Sequence, residues 1–236
     1  MHLRKKKSFV KSNRTPRHCD PSADGRSNLI LALLAISILF SCTTKKAPLP
    51  FIGEIDFDEK GDTVYHTIPQ FSFSNQNGKK ISEKDYEGKI YVTDFFFTTC
   101  GTICPKMTTQ LTRIQEIYKN DNELKLLSFS VNPEIDSIST LKNYAQRFKV
   151  IDEKWNLCTG SRASINRLAT KGFLVVPIDP NLNDSSQFIH SEMFILVDQI
   201  GRIRGSYDGT DSAFVNQLIE DIKTLKDELH SAEQKN

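Results

Sequence analysis

The 236-residue chain is 38% hydrophobic and 25% charged, a balance that supports a buried core and excludes wholesale disorder. Its net charge of +2 is unevenly spread, because residues 1–46 hold ten Lys or Arg against two Asp and the remainder is net acidic. A body of that sign lacks the cationic footprint of a nucleic-acid-binding protein, and the length suits one domain with extensions.

The basic segment leads into LILALLAISILF, residues 29–40. Such a run is too short for an ordinary spanning helix, which needs about 20 residues, and fits the apolar region of a secretory signal. Leu39-Phe40-Ser41-Cys42 resembles the lipobox of bacterial lipoproteins, in which a small residue precedes the cysteine that receives lipid, although Phe40 is bulkier than that pattern usually carries. The expectation is a lipoprotein-type signal peptide over residues 1–41, lipidation at Cys42 and an anchored linker over 42–60. The body then lies outside the cytoplasm, on the periplasmic side, tethered to a membrane. An uncleaved anchor would leave it on the same side.

From Asp62, DTVYHTIPQFSF alternates polar with apolar residues and Asn75-Gln76-Asn77-Gly78 forms a turn, which together predict a hairpin. Lys89–Phe97, KIYVTDFFF, reads as a central strand buried on both faces. Met107, Leu111, Ile114 and Ile117 or Tyr118 recur at helical spacing, with Pro105 expected at the first helical position, where its missing N–H costs nothing. A strand over Leu124–Val131 follows, then a helix over Ser137–Phe148 with Ile138, Leu141, Tyr144, Ala145 and Phe148 on one face. A short helix from Ser161 or Arg162 to Lys171 is expected to close at Gly172 as a C-cap, before a strand over Phe173–Val176. Met193–Val197 and Ile203–Tyr207 predict a hairpin, and Ala213–Leu229 a last helix with Phe214, Leu218, Ile222 and Leu225 inward. The pattern predicts one α/β domain over residues 61–230, a central mixed sheet flanked by helices with an N-terminal β-hairpin, and a disordered tail over 231–236.

Cys100 and Cys104 stand in TTCGTICPKM, between the central strand and the helix. Helix N-termini stabilise anions, so a thiolate there lies below its free pKa of about 8.5 and is reactive. The spacing permits a disulfide or a pair of soft metal ligands, and soft thiolates select Cu(I), zinc or iron–sulfur clusters. Two thiolates are too few for a closed zinc site, so a third ligand matters. Of the five histidines, His2 and His18 lie in the leading segment, His66 reads as a surface or edge residue and His230 as a solvated one. His190, in FIHSEMFILVD directly before a strand, is open to either a ligand role or a structural one.

Four segments resemble, in order, the SCO/SenC family of copper chaperones for cytochrome c oxidase assembly: DFFFTTCGTICPKM, VNPEIDSISTLKNYAQRF, KWNLCTGSRASI and HSEMFILVDQIGRI. The resemblance implies a thioredoxin-like fold and one copper ion held by Cys100, Cys104 and His190, as Cu(I) or Cu(II). It further implies a copper acceptor such as cytochrome c oxidase subunit II as partner, with Cys100 and Cys104 also serving as a redox pair in thiol–disulfide exchange. Asn132 stands where the family often has Asp, and Cys158 replaces the usual Leu of its segment, a change read as packing. Asp94 or Asp198 could add a carboxylate to the metal, but strand and turn structure account for both. A membrane-tethered thiol–disulfide oxidoreductase without a metal is the competing expectation. Peroxidase chemistry is disfavoured because Phe97 stands three residues before Cys100, where peroxiredoxin-like proteins carry Thr. A purely structural Cys100–Cys104 bridge would close only a small loop and constrain the unfolded chain little. Nothing in the pattern demands more than a monomer.

Overall fold

The computed structural model describes residues 47–175 and 191–233. Its strands are β1 (Ile55–Phe57), β2 (Thr63–Tyr65), β3 (Ser72–Asn75), β4 (Lys80–Ser82), β5 (Ile90–Phe96), β6 (Leu124–Ser130), β7 (Trp155–Thr159), β8 (Met193–Val197) and β9 (Ile203–Asp208). The helices are α1 (Ile103–Ile117), α2 (Ile138–Arg147), α3 (Arg162–Arg167), which runs into a π-helical turn at Leu168–Gly172, and α4 (Ser212–Glu233). Among the described residues no helix is long and apolar enough to cross a membrane.

Strands β3 to β9 form one sheet in the order β4-β3-β7-β6-β5-β8-β9. The centre is parallel, β7 with β6 and β6 with β5, because α1 and α2 carry the chain back between them. β8 joins β5 antiparallel, with Thr93 opposite Ile195 and Tyr91 opposite Val197, so β8 begins at the end of the sheet where β5 finishes.

Every residue of β5 is buried, Thr93 and Asp94 included, which is why apolar side chains fall on both faces of the strand rather than on one. Ile90, Val92 and Phe96 face one core together with residues of α1, α2 and α4. Tyr91 and Phe95 face the other, with Phe129, Cys158, Ile165 and Phe173. By the two-residue period of a strand, Asp94 shares the face of Val92 and Phe96.

Several expectations change. β7 was not predicted; Trp155–Thr159 is buried between β6 and β3. Conversely, the strand expected from Phe173 is absent through Val175, because the Phe173 and Val175 N–H groups donate to Leu168 and Ala169 of the π turn. Gly172 is no left-handed cap. It is small because a Cβ would stand 2.9 Å from Leu168 Cδ1 and 3.0 Å from Pro69 Cδ.

Helix α1 starts at Ile103, so Pro105 occupies its third position; the N–H missing there has no intrahelical partner to lose. The segment expected as linker contributes β1, paired to β2 with Ile55 opposite Tyr65. Phe214 is exposed on α4 rather than inward, and Ile138 is exposed on α2. The terminal helix continues through Glu233, which removes residues 231–233 from the expected tail.

The start of the described chain is fastened to the body by Arg204, which is only 3% exposed. Its guanidinium donates to Leu49 O at 2.7 Å and Pro50 O at 3.1 Å, and pairs with Glu228 at 2.6 Å and Asp198 at 3.5 Å. The Leu49 N–H donates in turn to Glu228 Oε1 at 2.6 Å.

Candidate metal and redox centre

Cys100 and Cys104 come together where β5 hands over to α1, and both are free thiols. The Cys100 N–H donates to Phe97 O at 3.3 Å, closing a turn just after the strand. Thr102, the N-cap residue of α1, makes no side-chain capping bond. The Cys104 N–H donates instead to Cys100 Sγ at 3.4 Å, so the first thiol occupies the anion position at the helix start.

The two thiols differ in environment. Cys100 is part-exposed. Burial alone would raise its pKa, but the N–H groups of Cys104, Thr102 and Ile103 and the Cys104 thiol together hold it below the ordinary thiol value. Cys104 is 5% exposed, and burial pushes its thiol up to about 12, with the Cys100 thiol and the Asp94 carboxyl adding to the rise against a Phe97 N–H. The pair therefore presents one accessible thiol that ionises more readily than an ordinary one and one buried partner that stays protonated at neutral pH.

Asp94 is itself raised to about 7, chiefly by burial, against a hydrogen bond from Ser128. Ser128 Oγ donates to Asp94 and accepts from Trp155 Nε1 at 2.8 Å. Asp198 caps the β8–β9 turn, accepting from the Ile200 and Arg202 N–H groups and pairing with Arg202 at 2.7 Å. Local structure thus occupies both carboxylates.

His190 lies outside the described residues, as do Cys42, His2 and His18. The hydroxyl of the neighbouring Ser191 accepts the Met193 N–H at 3.2 Å at the start of β8. Among the described residues no cluster of three or more His, Cys, Asp or Glu side chains could hold a metal ion. His66 is half-buried, with Nε2 2.7 Å from Gly172 O, and His230 Nε2 stands 3.1 Å from Glu123, so each is engaged elsewhere. Cys158 is fully buried in the second core, and burial raises its pKa far above the ordinary value, in keeping with a packing role.

Sequence reasoning did not single out Asp136. It is fully buried in the β6–α2 loop and accepts the Thr98 N–H at 3.0 Å, the Thr98 hydroxyl at 2.5 Å and the Ser130 hydroxyl at 2.5 Å. The available signal was a lone acidic residue in an otherwise uncharged stretch after Glu134, which by itself reads as solvated loop.

A mixed sheet of this order, with a thiol pair at the start of the helix that follows its central strand, defines a thioredoxin-like protein with a CxxxC centre. The SCO1/SenC family profile matches residues 59–227, and the chain belongs to that family. The SCO1 protein homolog of Bacillus subtilis is 34% identical over 165 residues, spanning 69% of this chain and 84% of its own. The solved structure of BsSco, described as a member of the Sco family of cytochrome c oxidase assembly proteins with a disulfide switch, is 34% identical. It covers 68% of this chain and 93% of its own, at a TM-score of 0.58. Bradyrhizobium japonicum ScoI, solved with copper bound, shares the fold at 23% identity and a TM-score of 0.55, over 67% of this chain and 99% of its own.

Proposed function

We propose that this chain is a copper carrier for the assembly of cytochrome c oxidase, holding one copper ion through Cys100, Cys104 and His190. The observation that carries the reading is the thiol pair, free and adjacent at the N-terminus of α1, with Cys100 part-exposed and its pKa lowered. Two sulfur donors of this kind suit Cu(I), a soft ion. His190, three residues before the first residue of β8 in sequence, would complete a three-coordinate set. A low coordination number leaves room for an acceptor's thiolate or imidazole to enter and take the cargo by ligand exchange. The acceptor proposed is the binuclear copper centre of oxidase subunit II. The chain acts there as a monomer outside the cytoplasm, on the periplasmic side, tethered by lipid at Cys42.

The purified chain, reduced and loaded without oxygen, should bind one copper per monomer, and Cys100→Ser or His190→Ala should weaken Cu(I) binding at least a hundredfold. Unchanged tight binding in either variant would overturn the ligand set.

The unequal pair also supports a second reading, reduction of a disulfide in the acceptor. The Cys100 thiolate attacks one acceptor sulfur, forming a mixed disulfide and expelling the other sulfur as a thiolate. Cys104 then loses its proton and attacks Cys100 Sγ, releasing the second acceptor thiol and leaving a Cys100–Cys104 disulfide. His190→Ala separates the readings, because copper delivery is lost while disulfide reduction persists. Oxidase assembly that survives this variant would assign the cellular role to thiol chemistry.

A further inference from the structure

Asp136 is a carboxylate with no exposed surface, and placing such a group in a core costs several kcal/mol unless donors surround it. Two of its three side-chain donors belong to one residue, Thr98, whose N–H and hydroxyl lie 3.0 and 2.5 Å from its oxygens. The third, the Ser130 hydroxyl, also receives the Asn132 N–H at 3.2 Å, and the Asp136 N–H donates to Asn132 O at 2.9 Å. The carboxylate is therefore rigidly held by the end of β6 and the loop beyond it, and it grips the middle of the Phe97–Cys100 turn.

That turn decides where Cys100 stands. Its ends are closed by the Cys100 N–H bond to Phe97 O, and its outcome is the 3.4 Å approach of Cys100 Sγ to the Cys104 N–H. We infer that Asp136, acting through Thr98, is a positioning residue that sets Cys100 against the N-terminus of α1. The inference rests on the reading of Cys100 and Cys104 as a working thiol pair. With the grip released, Cys100 drifts from the helix start. The reduced pair then loses that stabilisation and the disulfide becomes easier to form.

The test compares the wild-type chain with Thr98→Val, Thr98→Ser and Asp136→Asn, equilibrated against glutathione. In that exchange Cys100 and Cys104 give up two electrons and two protons as their S–S bond forms, and oxidised glutathione takes them up to become two thiols. Thr98→Val and Asp136→Asn should each move the equilibrium at least tenfold toward the disulfide, about 30 mV for a two-electron couple. Thr98→Ser, which keeps the hydroxyl, should stay within about twofold of wild type. Cu(I) affinity should fall about tenfold in Thr98→Val and Asp136→Asn and hold in Thr98→Ser. If Thr98→Val lowers only the unfolding midpoint and leaves the equilibrium unmoved, the role is structural and the inference fails; it fails equally if Thr98→Ser is as impaired as Thr98→Val. A wild-type chain that binds no copper would count against the copper reading alone, and the glutathione comparison would still decide the positioning role.

Discussion

The Cys104 N–H points at Cys100 Sγ across 3.4 Å and favours the Cys100 thiolate, whereas the Cys104 thiol itself is buried. Cys100 is held below the usual thiol range, while burial drives Cys104 up to about 12. Brief treatment of the reduced chain with iodoacetamide at pH 7 should therefore modify Cys100 at least about tenfold faster than Cys104, and Cys158 only on unfolding. The Cys100 rate should reach its plateau below the pH at which a free thiol does. Peptide mass mapping across a pH series reads both outcomes, and preferential labelling of Cys104 would refute the assigned asymmetry.

Asp94 gives a stability prediction with a definite sign. Its folded pKa of about 7 lies above the ordinary carboxyl value, so between those limits the native state binds more protons than the unfolded chain. This group therefore costs stability as pH rises through that window, by up to about 1.4 kcal/mol per pH unit, and its cost is fully present above about pH 7. Denaturant unfolding of Asp94→Asn should show a gain over wild type that is larger at pH 8 than at pH 5. A gain of equal size at both values would mean the carboxyl titrates normally.

Arg204 ties Leu49 and Pro50 to the body through a buried guanidinium that also neutralises Glu228 and Asp198. Removing one member of a buried ion pair strands the other, at a cost of about 3 kcal/mol. Arg204→Ala should lower stability by that order and open the chain before Gly53 to limited proteolysis. Arg204→Lys should recover only part of the loss, because the three donors of an ammonium cannot serve two carbonyls and two carboxylates in the fork that a guanidinium provides.

Cys158→Ala should cost about 1–2 kcal/mol through the small cavity it leaves, with copper stoichiometry still one per chain. Loss of copper binding in that variant would bring this thiol into the site.

Much of the fold was legible because local chemistry and tertiary context agree. The run from Ile90 to Phe96 is apolar on both faces and is a central strand; Met107, Leu111 and Ile114 repeat at helical spacing and are the buried stripe of α1. Legibility failed where neighbours decide. Trp155–Thr159 is short and carries Asn156, and it becomes a strand because β6 and β3 supply pairing partners on either side. Phe173–Val175 has strand-like residues, but its N–H groups are taken by the preceding π turn. In the site, the thiol pair is a sequence motif and was readable as one. The grip of Asp136 on Thr98 was not, since it depends on β6 lying parallel to β5 in the register that sets Phe96 beside Ser130.

The central sheet separates two packed layers, with Cys100 and Cys104 on the side of α1 and Cys158 on the side of α3. A sheet is a wall that a side chain cannot cross without unfolding, so the third sulfur is insulated from the other two. Among the three described cysteines, repeated cycles of oxidation and reduction can then close one ring and no other. In an oxidising surrounding this protects the native chain against disulfide scrambling, with the architecture supplying a fidelity that three cysteines in a flexible chain would lack.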